Sequence, residues 1–440
     1  MTCRKQSASK GVEVSSVCPS HLSADLISSR VDGDSLIQQT FNIGVRMSKL
    51  LHRASLPWNH RLLTLLLPAA LCYGTLSGLR WPLPYTVSHM VIDYHFGLGK
   101  RGLVGAILHV VDHPPYHYST LVSVAFASFA IWLGILFRAA ILSMRMDSGV
   151  TVAFLAFFLS AGFASLVCDI GRGEHFGILM TMPCLFLSTS AAGLVLRALL
   201  MVVAILVQEA NFLIAVPIIA FDLLLAKEGS TRLSLFAAMA TVLLPPTVLT
   251  WFLGNIKTAC DGVSAVNYFQ HLAADFVFQS VPAATLCMSG KENFNLVSRA
   301  IWHVPAEAMA LPLALLVSLP STLFNLALIS TALQGRQIAR SASFIATFAP
   351  VCLLIVASDI VRFTTLTQLT SLIILVATTR RLGLPFGGTL PAPIRQPVII
   401  MTMIAFELGA SVTLTDGSQM DKFPFMELLK KTVSISLGHV

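Results

Sequence analysis

The chain has 440 residues, of which 55% are hydrophobic and 11% charged, with a mean hydropathy of +0.78. A soluble domain carries roughly 25% charged residues, so composition excludes a soluble globule and points to a polytopic membrane protein whose solvent is mostly lipid. The formal charge of +8, from 29 Lys and Arg against 21 Asp and Glu, gathers at the ends of apolar runs. It reads as a topology signal and not as a nucleic-acid surface.

Residues 1–50 are polar, Ser-rich and mixed in charge. They bury too little surface to offset ordering entropy and read as a disordered cytoplasmic leader. The first strong apolar run starts near Leu62 and meets Arg80 and Trp81 rather than a small-residue cleavage site, so no cleavable signal peptide is read, and Met47 is an alternative start. A transmembrane helical domain is expected over 51–412, with a polar tail over 413–440. Apolar runs at 61–79, 119–142, 150–168, 177–196, 233–254, 304–331, 342–357, 363–379 and 396–412 give nine spans. A further stretch, 198–226, is interrupted by Gln208-Glu209-Ala210-Asn211 and by Pro217. A lone carboxylate at bilayer depth costs roughly 2.5–3.5 kcal/mol, so a broken helix lining a cavity is preferred there over a lipid-facing one. If the first span leaves the cytoplasm, re-entry at 198–226 puts Lys227, Arg232, Arg336, Arg340, Arg380, Arg381 and Arg395 inside, against Lys257, Lys291, Arg299 and Arg362 outside. The tail's Lys422, Lys430 and Lys431 then also fall outside and even the tally. The fold expected is an all-α membrane bundle of about nine or ten helices with a re-entrant segment.

Two loops are too long to be connectors. The first, 80–118, holds Trp81-Pro82-Leu83-Pro84 and a glycine-rich run from Asp93 to Gly105; the fourth, 255–303, spaces aromatic residues among polar ones, as in helices lying on a membrane surface. Eight cysteines show no CxxC spacing, which argues against zinc and redox motifs. Cys260 and Cys287 share the fourth loop and are candidates to pair if it faces an oxidising compartment.

Four constellations are able to carry chemistry. In the first loop, Asp93 is placed to activate a hydroxyl or ligate a divalent metal, and Lys100 with Arg101 to hold a phosphate by charge and paired hydrogen bonds. Gly97, Gly99, Gly102 and Gly105 would let backbone amides approach that anion. Asp169, Arg172, Glu174 and His175 crowd a short turn between two apolar runs and offer acid and base character. Asp112, His113 and His117 lack the HExxH spacing of a zinc helix. Gln208, Glu209 and Asn211 place polar groups inside the membrane, as a site or as an interhelical hydrogen-bonded patch. Asp359 and Arg362, three apart, share a helix face and lie on the side of Asp93 only if 198–226 re-enters. No nucleophile elbow, P-loop or dinucleotide fingerprint occurs.

A long first outer loop with an acidic residue beyond the first span, a short acidic second outer loop, and many spans without a soluble catalytic domain resemble the C-type membrane glycosyltransferases that use polyprenyl-phosphate sugars. Lys100-Arg101-Gly102-Leu103-Val104-Gly105, Gln208-Glu209-Ala210 and Asp359-Ile360-Val361-Arg362 also resemble landmarks of bacterial polytopic proteins associated with surface polysaccharides. The resemblance covers roughly residues 60–380. It implies a bacterial inner-membrane enzyme that transfers a sugar, or polymerises repeats, from a polyprenyl-phosphate carrier to a glycan acceptor. Asp93 would be the catalytic base, Asp169 or Glu174 its helper, and Lys100, Arg101, Arg172, His175, Glu209, Asp359 and Arg362 would bind substrate. No Asp-x-Asp or Glu-x-Asp pair occurs in the first loop, which leaves the use of a divalent metal ion open. Two other classes stand beside this one: a transporter or flippase of a lipid-linked saccharide, and a non-catalytic membrane subunit of an export complex.

Overall fold

The computed structural model describes residues 60–97, 100–144, 148–255, 261–289, 305–355, 360–383 and 399–407, with the short pieces 291–292 and 294–295. The expected leader and tail lie outside these residues. Within them every regular element is a helix, as a chain starved of water requires, because a helix pairs its own backbone groups. In chain order the elements are α1 (His60–Gly78), α2 (Pro84–Val91), α3 (Leu103–Val111), α4 (Tyr118–Met144), α5 (Ser148–Phe158), α6 (Ala161–Cys168), α7 (Gly173–Phe186) and α8 (Ala191–Val207). There follow α9 (Asn211–Ala226), α10 (Arg232–Asn255), α11 (Gly262–Leu272), α12 (Ser280–Cys287), α13 (Pro305–Ala332), α14 (Gln337–Phe348) and α15 (Ile360–Leu382), with a 3₁₀ turn over Ala349–Ile355 and helical residues at 399–407.

Among the described residues, four helices are long and apolar enough to cross a membrane: α4 over Tyr118–Leu142, α10, α13 over Ala314–Ala332, and α14 with its 3₁₀ extension. The bent pair α5 and α6, meeting at 51°, makes a fifth if it is one span. Three expectations are corrected here. The run 150–168 is not straight, because Ser160 caps a new helix by accepting from the Phe163 amide. The run 177–196 is not one span: α7 ends at Phe186 and α8 starts after Ser190, whose hydroxyl accepts from the Gly193 amide. Ser188-Thr189-Ser190 carried that stop signal inside an otherwise apolar window.

The third correction refines the broken stretch. Helices α8 and α9 meet at Gln208–Ala210, and Arg197 of α8 bonds Asp222 of α9 at 2.9 Å. Arg197 stands as far before the break as Asp222 stands after it, so the two limbs fold back on each other as a hairpin whose tip is 208–210. Each limb is about 25 Å long at 1.5 Å per residue. As expected, the stretch is a helix broken at its polar residues, and Gln208, Glu209 and Ala210 line a cavity.

Packing follows small residues. A side chain on Gly74 or Gly78 would collide with the backbone of Phe158 or Ala164, so α1 lies directly on the α5 and α6 bend. Trp132, Phe154, Phe157, Phe158 and Phe163 fill the adjoining core. By contrast α10 exposes Leu233, Phe236, Leu244, Val248 and Trp251, the face expected of a helix wetted by lipid.

The two long loops join into one cap. Tyr116 and Leu272 to Ala274 exchange backbone hydrogen bonds at 2.7 and 2.9 Å, and Asp275 accepts from the Tyr118 amide at 2.7 Å. Ser88 accepts from the Gln279 amide at 3.0 Å, and Lys100 donates to the Met288 carbonyl at 3.2 Å. Cys287 is in a disulfide; Cys260, its expected partner, lies outside the described residues. The short helices α2, α3, α11 and α12 are the parts of this cap.

Candidate functional site

The hairpin tip carries polar residues on both sides of its turn, and each side reaches a different neighbour. Glu209 accepts from Arg101 in a forked contact, with Nη2 at 2.7 Å from Oε1 and Nε at 3.1 Å from both oxygens. Arg101 sits at φ 65°, a left-handed conformation that costs a non-glycine residue roughly 1–2 kcal/mol. The forked ion pair and a 3.3 Å contact from Nη1 to His89 Nδ1 hold it there. On the other side Gln208 donates to Glu174 at 2.8 Å, and Arg362 Nη2 lies 3.4 Å from the same Glu174 oxygen. Asn211 donates to the carbonyls of Gly173 at 3.1 Å and Ala204 at 2.8 Å, closing the hairpin neck against α7.

Beside this junction lies a cavity of about 210 Å³. Lys100, Arg101, Gln208, Glu209 and Arg362 form its polar wall, and Phe212, Leu213, Leu253, Leu353 and Phe363 its apolar one. Three cations thus face one carboxylate. Lys100 is only 8% exposed, and burial pushes its ammonium below the ordinary lysine range, against the pull of Glu209. Residues separated by more than a hundred positions in sequence, 100–101, 208–210 and Arg362, therefore line one cavity. Such a cavity can hold an anion at one end and a hydrocarbon chain along the other, next to the lipid-wetted α10.

The remaining candidates distribute as follows. Asp93 is buried but does not line this cavity; with Tyr94, His95, Ala106, His109 and Tyr268 it lines a separate open depression of about 300 Å³. There its carboxylate accepts from Tyr268 at 3.1 Å and from the His95 amide at 2.9 Å, while the His95 ring stacks on Tyr268 at 3.8 Å. Burial, with Asp93 adding to it, pushes the Tyr268 hydroxyl up to about 12. The expectation that Asp93 and the basic pair share one wall is corrected accordingly. Asp169 pairs with Arg172 at 3.3 Å, and Arg172 lies over the Tyr85 ring at 5.2 Å. Glu174 is 1% exposed and acts as a strut between Gln208 and Arg362 rather than as a wall of the cavity. His175 is a core residue: its Nε2 lies 2.9 Å from the Leu166 carbonyl and its ring packs edge-on against Trp132. Asp359 lies outside the described residues. The glycines expected to bare amides to an anion do something else. A side chain at Gly102 would strike Tyr94 and one at Gly105 the Ile92 carbonyl, so these two fold the loop tightly on itself. Gly97 stands open at φ 98°, and Gly99 is outside the described residues. Among the described residues no three His, Cys, Asp or Glu side chains are grouped to hold a metal ion.

Sequence reasoning missed a second charged junction at the opposite ends of these helices. Asp222 accepts from Arg197 and, through both oxygens, from Arg381 at 2.7 and 2.6 Å. Arg197 also donates to the Leu187 carbonyl at 2.6 Å, and Arg380 stacks on Phe186. Arg380 and Arg381 had read as topology charges alone. The signal was available in Asp222, an acid within an apolar run, which demands a partner. No protein-family model, curated protein or solved structure matches this chain.

Proposed function

We propose that the protein is a membrane glycosyltransferase or polysaccharide polymerase that takes its sugar from a polyprenyl-phosphate carrier. The observation that supports this reading is a single cavity lined by Lys100, Arg101 and Arg362 together with Glu209, and by apolar residues that include Leu253 of α10. A carrier's phosphate needs charge-assisted donors, and its isoprenoid chain needs a greasy exit to lipid. Arg offers a planar fork and Lys a point charge, so the set can follow an anion as charge builds on a departing phosphate. Asp93, in the depression on the same cap, is the base we assign to the acceptor hydroxyl. Its Tyr268 and His95 partners hold the carboxylate in place, and the exposed ring of His95 offers a stacking surface to a sugar. The disulfide at Cys287 supports a cap that faces an oxidising compartment, which for a bacterial inner membrane is the periplasmic side.

The test is an Asp93→Asn chain as the sole copy in cells. Glycan extension is expected to stop while the protein stays at normal abundance in the membrane. Glycans of unchanged length in that strain would remove the mechanism, and movement of a lipid-linked saccharide across proteoliposomes without new glycosidic bonds would replace it with transport.

A further inference from the structure

Between the two charged junctions runs a polar seam that neither uses. It follows α13 and α15, where Thr322 and Thr367 meet at 3.4 Å and Asn325 donates to Ser371 at 2.9 Å. Its focus is Glu407, which is fully buried. The carboxyl accepts from the Ser321 amide at 3.1 Å and from Gln368 Nε2 at 3.0 and 3.2 Å. The same Gln368 nitrogen lies 2.9 Å from Ser321 Oγ and 3.4 Å from the Val317 carbonyl, and its Oε1 accepts from the Gly162 amide at 3.0 Å. Ser321 follows Pro320 in α13. Beside that proline, Glu407 accepts from the Ser321 amide and Gln368 approaches the Val317 carbonyl, so both side chains fasten onto the same turn of α13.

The groups around Glu407 are hydroxyls, amides and backbone. From α13 these are Ser321 and Thr322, from α15 Thr367 and Gln368, and from the α5 and α6 bend the Gly162 amide; none of them titrates. The charged residues of α15 are committed elsewhere: Arg362 lies against Glu174, Arg381 pairs with Asp222, and Arg380 stacks on Phe186. Gln368 lies about 9 Å along the helix from Arg362 and about 18 Å from Arg380, so Glu407 is deep between the two ends. Among the described residues no cation pairs with it. A bare carboxylate at that depth is costly, and such groups neutralise by taking up a proton.

We propose that Glu407 is a proton-binding site inside the membrane domain, kept as the neutral acid at rest by burial without a cation, while Gln368 and Ser321 fix the position of its oxygens. Its ligand is a proton, and loss of that proton loads charge onto Gln368, whose other end grips Gly162. Helix α6 starts at that point and is followed directly by Asp169, the partner of Arg172, so one two-turn helix links the proton site to that charged turn.

Infrared spectroscopy of the full-length protein in lipid nanodiscs at neutral pH tests this. A carbonyl stretch of a protonated carboxyl is expected in the unaltered protein and is expected to vanish in Glu407→Gln. Gln368→Leu, which removes the amide donors, is expected to shift that band to higher frequency. A folded Glu407→Gln chain with the band unchanged overturns the proposal. So does a Glu407→Gln chain that fails to accumulate, because a carboxamide keeps the shape and neutrality that the site is proposed to hold.

Discussion

Asp222 is the residue whose loss is most costly in this account. It is buried with Arg197 and Arg381 on its two oxygens, and removing one partner of a buried ion pair typically costs about 3–5 kcal/mol, since the other charge is left unpaired. Asp222→Asn is expected to lower the unfolding temperature of the purified protein clearly. Adding Arg197→Met to that change should cost less than the sum of the two single changes, because the stranded cation goes with it. Lys100 carries a prediction about pH. Because burial lowers its pKa, the ammonium loses its proton at lower pH than an ordinary lysine, so affinity for a polyprenyl phosphate should fall early as pH rises into the alkaline range. Lys100→Arg, charged at every accessible pH, should remove that early fall. Sequence alone found the charged residues of the cavity junction but not their partners, and it did not find Asp222. Glu209 was legible as an intramembrane acid; that Arg101 would answer it was not, because the contact spans 108 positions.

At the level of elements, close approach between α7 and the hairpin tip depends on two glycines. A side chain at Gly173 would meet Gln208, and one at Gly177 would fall on the Asn211 carboxamide. Gly177→Ala is therefore expected to destabilise by about 1–3 kcal/mol. Gly134→Ala, at a position with nothing within 4 Å, should be neutral or slightly stabilising. Thermal unfolding of both variants checks the contrast, and equal effects would contradict it. The cap yields a chemical test: in the denatured protein a maleimide should label the free Cys72 and Cys352 without reduction, while Cys287 should react only after reduction. Helix existence was legible from apolar runs, since lipid leaves the backbone little choice. Helix stops were not, because Ser160 and Ser190 end apolar runs through single hydroxyl caps that a window average hides.

At the scale of the molecule, the sequence indicated an all-α membrane protein and two functional loops, and the structure joins those loops into one cap over a bundle with a charged junction at each end. Composition dictates the first part. The second depends on tertiary contacts such as Tyr116 with Leu272 and Asp93 with Tyr268, which no local pattern announces. The central claim is that the Lys100, Arg101 and Arg362 wall grips the phosphate of an isoprenoid lipid. Native mass spectrometry of the protein with a polyprenyl monophosphate and with the matching uncharged polyprenol addresses it most directly. The phosphate should be retained and the alcohol not, and Arg362→Ala should weaken retention roughly 10- to 150-fold, the worth of one charge-assisted hydrogen bond of about 1.5–3 kcal/mol. Equal retention of phosphate and alcohol, or an Arg362→Ala protein that holds the phosphate as well as the unaltered chain does, would contradict the account.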